Sequence, residues 1–98
     1  MMKSKAVNDL AAEVEANTLN LIDVREADEF ASGHLPGAIN LPLSDFLERY
    51  GELDKDKSYH IICRSGARSA QACAFLEEEG YDVTNVAGGT IAWMGDLE

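Results

Sequence analysis

A strand–loop–helix unit in the second half of the chain limits the possible folds more than any other feature. The apolar run Tyr59–Ile62 predicts a buried strand, and Ser69–Glu79, which is followed by Gly80, predicts a helix. The loop between them begins with Cys63, so a thiol lies where a strand ends and a helix begins. Unpaired backbone N–H groups converge at such a turn, and the helix dipole adds partial positive charge. We therefore expect a nucleophilic thiolate beside an anion pocket.

Short strands and short helices alternate along the rest of the chain. Strands are predicted at Leu19–Val24, Ala38–Leu41 and Tyr81–Val86, and helices at Leu10–Glu15, Ala27–Ser32, Ser44 to about Tyr50 and after Gly88-Gly89. This alternation predicts an α/β domain with a mainly parallel sheet. Ligands of such sheets bind beyond the carboxyl ends of the strands, which is where Cys63 falls.

Length and charge narrow the class of protein. The 98 residues predict one domain spanning positions 1–98. Eight basic and 18 acidic residues give a net charge of -10, which argues against nucleic acid and anionic membranes as partners. Arg64 and Arg68 stand out because basic residues are scarce elsewhere. The loop after Cys63 therefore concentrates positive charge in an otherwise acidic protein.

The cysteine content and the first 20 residues indicate the compartment. Two cysteines ten residues apart form neither a disulfide framework nor a metal motif, so we expect no metal. The segment 1–20 has no apolar run of the length that a signal peptide needs, and no segment could span a membrane. A reduced, cytoplasmic location is the resulting expectation, and it suits a thiol nucleophile.

Four motifs in order resemble the rhodanese, or sulfurtransferase, domain family. They are Leu21–Glu26, Gly33–Asn40, the loop Cys63–Ser69, and Gly88-Gly89 with Trp93. Each motif alone would be weak, but the ordered set is specific and covers about positions 19–93. The resemblance implies one rhodanese-like domain, with a central parallel sheet flanked by helices. It also implies a catalytic Cys63 that carries a persulfide. Ala87 and Thr90 depart from the usual residues around the glycine pair, which affects packing there and leaves the loop intact.

The loop after Cys63 is predicted to bind the substrate. Its members are Arg64, Ser65, Gly66, Ala67, Arg68 and Ser69. A cation near a helix N-terminus opposes the dipole, so Arg68 is expected to serve an oxyanion with its fork of donors. Arg64 is expected either to bind the oxyanion together with Arg68 or to face solvent and select the sulfur donor. Gly66 allows the backbone to turn its N–H groups toward the sulfur. Ser69 either donates to the bound group or caps the helix.

Other polar and sulfur-containing residues are assigned mainly structural roles. Asp23 and Arg25, from the first motif, are predicted to support the site. An internal ion pair is favoured for Asp23. For Arg25, that ion pair and steering of the substrate are equally favoured. Cys73 lies among small residues and is expected to pack as a small apolar group, with a redox role as the lesser alternative. His34 is expected to anchor a turn, and Trp93 to fill the core.

The predicted reaction is a double displacement that needs no cofactor. The Cys63 thiolate takes the outer sulfur of thiosulfate or a similar small anion, and a thiophilic acceptor, cyanide or a thiol of small-molecule or protein origin, removes it. A non-enzymatic persulfide carrier or protein-interaction module is the alternative. A cysteine phosphatase or arsenate reductase is weaker, since related phosphatases have a loop one residue longer and usually His before the cysteine. Here Ile62 precedes Cys63, and four residues separate Cys63 from Arg68.

Overall fold

The computed structural model describes residues 2–98 and forms one parallel sheet with helices on both faces. The strands are β1 (Lys3–Ala6), β2 (Leu21–Asp23), β3 (Ile39–Asn40), β4 (Ser58–Ile62) and β5 (Asp82–Ala87). The α-helices are α1 (Ala11–Ala16), α2 (Ala27–Ala31), α3 (Phe46–Arg49), α4 (Ala67–Glu78) and α5 (Gly89–Ala92). Turns of 3₁₀-helix cover Val7–Leu10, Leu43–Asp45 and Tyr50–Glu52. The predicted α/β domain with a parallel sheet flanked by helices is confirmed.

The strand order β1-β5-β4-β2-β3 places β4 at the centre of the sheet. All neighbouring strands pair in parallel, with Ile61 opposite Ile22 on one side and Asn85 on the other. Because a central parallel strand is covered on both faces, the end of β4 next to Cys63 is apolar at successive positions, Ile61 and Ile62. Ile61 belongs to the core on one face and Ile62 to the core on the other, and both are buried. The apolar run before Cys63 thus fixes the strand that carries it.

Two apolar cores fill the space between the sheet and its helices. One includes Phe46 from α3 with Cys73 and Leu76 from α4. The other includes Val14 from α1 and Leu35 from the turn before β3. No helix in the described chain, residues 2–98, is long and apolar enough to cross a membrane.

The structure adds an edge strand that the sequence analysis did not predict. All four residues of β1 are exposed, so no apolar period marks them as a strand. The pairing of β1 with β5 defines it instead, together with an ion pair between Lys3 and Asp82. Two lysines in an exposed edge strand also disfavour pairing with another chain.

Two helix starts differ from the predicted ones. Helix α4 begins at Ala67, two residues before the predicted Ser69, because Gly66 takes a φ of 104° and acts as the N-cap. The helix expected after Ser44 begins as a 3₁₀ turn and becomes α-helical at Phe46. Pro42 is the N-cap of that turn, and the hydroxyl of Ser44 donates to Glu26. In both places the tertiary setting decides the boundary.

Candidate active site

Cys63 lies directly after β4, at the carboxyl end of the central strand. The residue is 1% exposed, and its Sγ accepts a hydrogen bond of 3.1 Å from the backbone N–H of Gly66. Only a residue that tolerates positive φ can turn the chain this tightly, so Gly66 directs the N–H groups toward the sulfur. The predicted strand–thiol–helix arrangement is therefore present in the structure.

The hydrogen bonds at the sulfur lower the pKa of the Cys63 thiol below its usual value. Burial raises this pKa, but several donors outweigh it. These are the hydroxyl and backbone N–H of Ser69 and the backbone N–H groups of Gly66 and Ser65. The Ser69 hydroxyl lies 3.4 Å from Sγ. Cys63 thus has the thiolate character that a nucleophile requires.

Asn85 is a neighbour of the site that the sequence analysis missed. It lies on β5, and its Oδ1 is 2.6 Å from the hydroxyl oxygen of Ser69, a buried residue inside the first turn of α4. The single hydroxyl proton of Ser69 is therefore shared between Asn85 and the Cys63 Sγ. Its amide group also donates to the carbonyl of Gly66 at 3.4 Å. The cap interpretation of Ser69 is therefore wrong, because Gly66 occupies the N-cap. The available signal for Asn85 was weak: it is an amide beside Val86 in a predicted strand that also contains the polar residues Asp82 and Thr84.

Helix α5 packs against the loop and holds its carbonyl groups. The N–H of Thr90 donates to the carbonyl of Cys63 at 3.0 Å, and that of Ile91 to the carbonyl of Arg64 at 3.0 Å. A Cβ at Gly89 would lie 2.5 Å from the Cys63 oxygen and 2.4 Å from the Arg64 oxygen. Glycine is thus required for this close approach, and the unusual Thr90 adds a hydroxyl 3.3 Å from the same Cys63 carbonyl.

Arg68 is held by a carboxylate that the sequence analysis did not include. Its two terminal nitrogens donate to the two oxygens of Glu29 at 2.7 and 3.0 Å. The Arg68 hydrogen bonds, with a further one from the backbone N–H of Glu26, lower the pKa of Glu29 to about 2. The bidentate pair joins α2 to the first turn of α4, so the guanidinium has a fixed position beside the loop.

Asp23 and Arg25 form the predicted internal ion pair. Both are buried, and Arg25 donates to Asp23 through Nε at 3.1 Å and through Nη2 at 2.9 Å. Its Nη2 also donates to the carbonyl of Gly33 at 2.8 Å. The pair therefore joins the end of β2 to the turn after α2. These contacts match the ion pair expected for Asp23. For Arg25 they match the structural one of its two expected roles.

Arg64 is exposed beside a cleft of about 360 Å³. Ser65 and Ala67 are exposed as well, so the surface of the loop is open to solvent. A larger cavity of about 470 Å³ lies elsewhere, between β2, β3 and the segment 49–59, and contains no loop residue. The smaller cleft, which Arg64 lines, is therefore the one that adjoins the loop. No group of three or more His, Cys, Asp or Glu residues within 2–98 could hold a metal ion.

Two further residues, His34 and Cys73, behave as the sequence indicates, and Trp93, predicted to fill the core, is only partly buried. The ring nitrogen Nδ1 of His34 lies 2.9 Å from the carbonyl of Phe30, so it anchors the turn. Cys73 is fully buried in the core, and burial raises the pKa of its thiol to about 12. Trp93 packs against the core on the α1 side and donates to the carbonyl of Asp96 at 3.0 Å. Of the two thiols, only Cys63 has an activating environment.

Comparison with known proteins decides the family. The family model described as Rhodanese-like domain matches residues 6–96. The chain belongs to the rhodanese-like family. A rhodanese-like domain protein from Staphylococcus aureus has a crystal structure that is 36% identical, covering 99% of this chain and 97% of that one, with a TM-score of 0.89.

Two curated relatives of this rhodanese-like domain carry functional names. A protein of Allochromatium vinosum named sulfurtransferase is 49% identical over 74 residues, which are 74% of this chain and 69% of the relative. A Shewanella oneidensis protein named thiosulfate sulfurtransferase GlpE is 34% identical over 92 residues, 93% of this chain and 91% of the relative. The family that the sequence motifs resemble is therefore confirmed, and relatives within it are named as sulfurtransferases.

Proposed function

We propose that this domain is an enzyme that transfers a sulfane sulfur from an anionic donor such as thiosulfate to a thiophilic acceptor. The sulfur is carried as a persulfide on Cys63. The observation that carries the proposal is the buried Sγ that accepts the Gly66 N–H at 3.1 Å and faces the Ser69 hydroxyl at 3.4 Å. The names of the two curated relatives support the same activity.

The first displacement loads the cysteine. The Cys63 thiolate attacks the outer sulfur of thiosulfate, a new S–S bond forms at Sγ, and the S–S bond of thiosulfate breaks. Sulfite leaves with the bonding electron pair. Charge is conserved, because a monoanion and a dianion give a persulfide monoanion and sulfite. The N–H groups that bind the thiolate before the step are placed to bind the charged persulfide after it.

The second displacement removes the transferred sulfur from Cys63. Cyanide or a thiolate attacks the outer sulfur of the persulfide, and the Cys63 thiolate leaves with the electron pair of the broken S–S bond. No external oxidant or reductant enters either step. Since the leaving group is the activated thiolate itself, the same hydrogen bonds favour both halves of the cycle.

The remaining loop residues are proposed to bind the anion. The backbone N–H groups of the segment 64–69 surround the bound sulfur, and the side chains of Arg64 and Arg68 supply positive charge. The Glu29 pair occupies two of the five N–H donors of a guanidinium, which leaves three on Arg68 for the substrate. Asp23 and Arg25 support the site by fixing the neighbouring turn.

Steady-state turnover with thiosulfate and cyanide tests the proposal. Cys63→Ser keeps nearly the same shape with a far weaker nucleophile, so thiocyanate formation should stop. Cys73→Ala is the matched thiol control and should retain most activity, since that thiol is buried and protonated. Activity of Cys63→Ser within a few fold of the wild type would overturn the proposal. A wild-type protein that gains one sulfur and never turns over would be a carrier instead.

A further inference from the structure

The cleft beside the catalytic loop has one apolar wall. Its lining residues are Arg25, Glu29, Ser32, Gly33, Arg64, Thr90, Ile91 and Leu97. Ile91 is 61% exposed and Leu97 is 50% exposed, so both present apolar surface to solvent at the mouth of the cleft. Ile91 also adjoins the loop, since its backbone N–H donates to the carbonyl of Arg64, the residue after Cys63. Large exposed apolar side chains in a cleft next to that loop point to a binding role more than isolated surface leucines do.

The segment that carries Leu97 is fixed in place. His34 and Glu98 exchange two backbone hydrogen bonds, of 3.2 and 2.8 Å, and a carboxylate oxygen of Glu98 accepts the N–H of Gly37 at 3.0 Å. The Leu97 Cδ1 atom lies 3.1 Å from the position that a Cβ would take at Gly33. Leu97 is therefore held against the α2 side of the cleft, as part of its wall.

The charge of the cleft comes from Arg64. Among residues 2–98, Arg25 pairs with Asp23, Arg49 with Glu52 and Arg68 with Glu29. Arg64 is the remaining arginine, and within the described chain its guanidinium makes neither an ion pair nor a hydrogen bond. Glu29 also lines the cleft, but Arg68 neutralises it. In a protein with 18 acidic residues, an unpaired arginine beside an apolar wall favours a ligand that has both an alkyl chain and an anionic group.

We propose that Ile91, Leu97 and Arg64 form the acceptor subsite and select aliphatic thiols that end in a carboxylate. The alkyl chain packs on Ile91 and Leu97, and the carboxylate binds Arg64. This inference rests on the proposed function, because it assigns the acceptor of the Cys63 persulfide. Ile91 and Leu97 would be specificity-determining residues, since they contact the body of the acceptor and not its reacting sulfur.

The transfer step balances without a further reactant. The acceptor thiolate attacks the outer sulfur of the Cys63 persulfide monoanion, and the S–S bond at Sγ breaks. The products are the persulfide monoanion of the acceptor and the Cys63 thiolate, which leaves with the bonding electron pair. Sulfur uptake by the alkyl thiol therefore regenerates the enzyme for the next donor.

A set of four acceptor thiols measures the alkyl contact and the carboxylate contact separately. The probes are 3-mercaptopropanol, 3-mercaptopropionate, 6-mercaptohexanol and 6-mercaptohexanoate, each used with saturating thiosulfate, and kcat/KM for the acceptor is measured. The six-carbon thiols should have a kcat/KM about tenfold higher than the three-carbon thiols, because three more methylenes pack on a partly exposed wall. At each chain length, the carboxylate should have a kcat/KM about tenfold higher than the alcohol, because it makes a charge-assisted contact to Arg64.

Three variants assign these preferences to residues. Leu97→Ser should remove most of the advantage of the longer chain, and Arg64→Gln should remove the advantage of the carboxylate. Ratios between acceptors are compared within each variant, so that any effect of Arg64 on the donor cancels. Leu47→Ser is the matched control, because Leu47 is 73% exposed and lies outside the cleft. It should leave both ratios unchanged.

The outcomes distinguish this inference from the proposed function. Normal thiosulfate and cyanide turnover with equal kcat/KM for all four thiols would overturn the acceptor subsite and leave the sulfurtransferase activity standing. A chain-length preference that survives Leu97→Ser would also overturn the subsite. Failure of Cys63 to take up sulfur would instead remove the proposed function. A dimer at assay concentration that covers Ile91 and Leu97 would likewise contradict the subsite.

Discussion

At the scale of single residues, the sequence predicts the reactive atom but not all of its partners. Cys63 and Gly66 follow from a local strand–loop–helix pattern, because their effect depends on neighbours within a few positions. Asn85 and Glu29 could not be predicted in this way. Each reaches the loop through the sheet topology, from another strand or helix, and a lone polar residue has many possible uses. The sequence places Ser69 in the loop, but its inward orientation depends on the observed start of α4 at Ala67.

Ser69→Ala should raise the pKa of Cys63. The wild-type thiol has a lowered pKa, so its thiolate persists to lower pH than an ordinary cysteine and is lost as pH falls through that value. Loss of the hydroxyl should move the alkylation profile of Cys63 to higher pH. Hydrogen bonds to charged groups contribute about 1.5–3 kcal/mol, so sulfur uptake at neutral pH should fall about tenfold or more.

The measurement is the pH dependence of iodoacetamide alkylation in a Cys73→Ala background, where Cys63 is the single thiol. Cys73→Ala alone is the control. If Ser69→Ala leaves the profile in place, the backbone N–H groups alone activate the sulfur, and our account of Ser69 is wrong.

Asp23→Asn should destabilise the fold. It would leave the buried guanidinium of Arg25 without its counter-charge, and breaking one side of a buried pair typically costs about 3–5 kcal/mol. Urea unfolding monitored by Trp93 fluorescence gives the free energy of unfolding. Asp56→Asn, at an exposed turn, is the matched control and should change stability little. A loss below about 1 kcal/mol would show that water reaches the pair.

At the scale of elements, predicted types hold better than predicted boundaries. The strands β2, β4 and β5 and the helix α4 all lie within or near their predicted segments. Boundaries shift where tertiary contacts decide, as at Gly66, whose positive φ starts α4 early. Strand β1 has no sequence signal, since edge position and pairing define it rather than burial.

Gly89→Ala tests the contact between α5 and the loop. Its Cβ would meet two backbone carbonyls at 2.5 Å or less, and Gly89 has a φ of 62°. We expect a loss of about 2–4 kcal/mol in the free energy of unfolding and a large loss of sulfur transfer, because the loop must move. Gly51→Ala is the control, since nothing lies within 4 Å of its Cβ position. Wild-type activity in Gly89→Ala would contradict this packing.

Glu29→Gln tests the ion pair between Glu29 on α2 and Arg68 on α4. The pKa of Glu29 is lowered from 4.5 to about 2, so its stabilising contribution is full above pH 4.5 and is lost as pH falls toward 2. The stability difference between wild type and Glu29→Gln should therefore shrink over that range. Because the pair is partly exposed, we expect a modest difference at pH 7, about 1 kcal/mol or less.

Urea unfolding at several pH values from 7 to 2 measures that difference. Glu48→Gln, which removes an exposed carboxylate on α3, is the matched control for the general effect of one acidic group. A pH-independent difference for Glu29→Gln would mean that the pair does not form in solution.

At the scale of the whole molecule, topology explains how this small domain positions Cys63. The order β1-β5-β4-β2-β3 puts the carboxyl end of β4 between β5 and β2. These neighbours bring Asn85 from one side and the Asp23–Arg25 pair from the other. The sequence predicts the fold class and the family, because the alternation of elements and the motif order are properties of the chain. The strand order itself is learned from the structure.

The mass of the protein after exposure to thiosulfate, with no acceptor present, tests the central claim most directly. We predict a gain of one sulfur atom, located on the peptide that contains Cys63 and removed by cyanide. The reason is that the buried thiolate is activated while Cys73 is held protonated. No gain of mass, or a sulfur located on Cys73, would contradict the account.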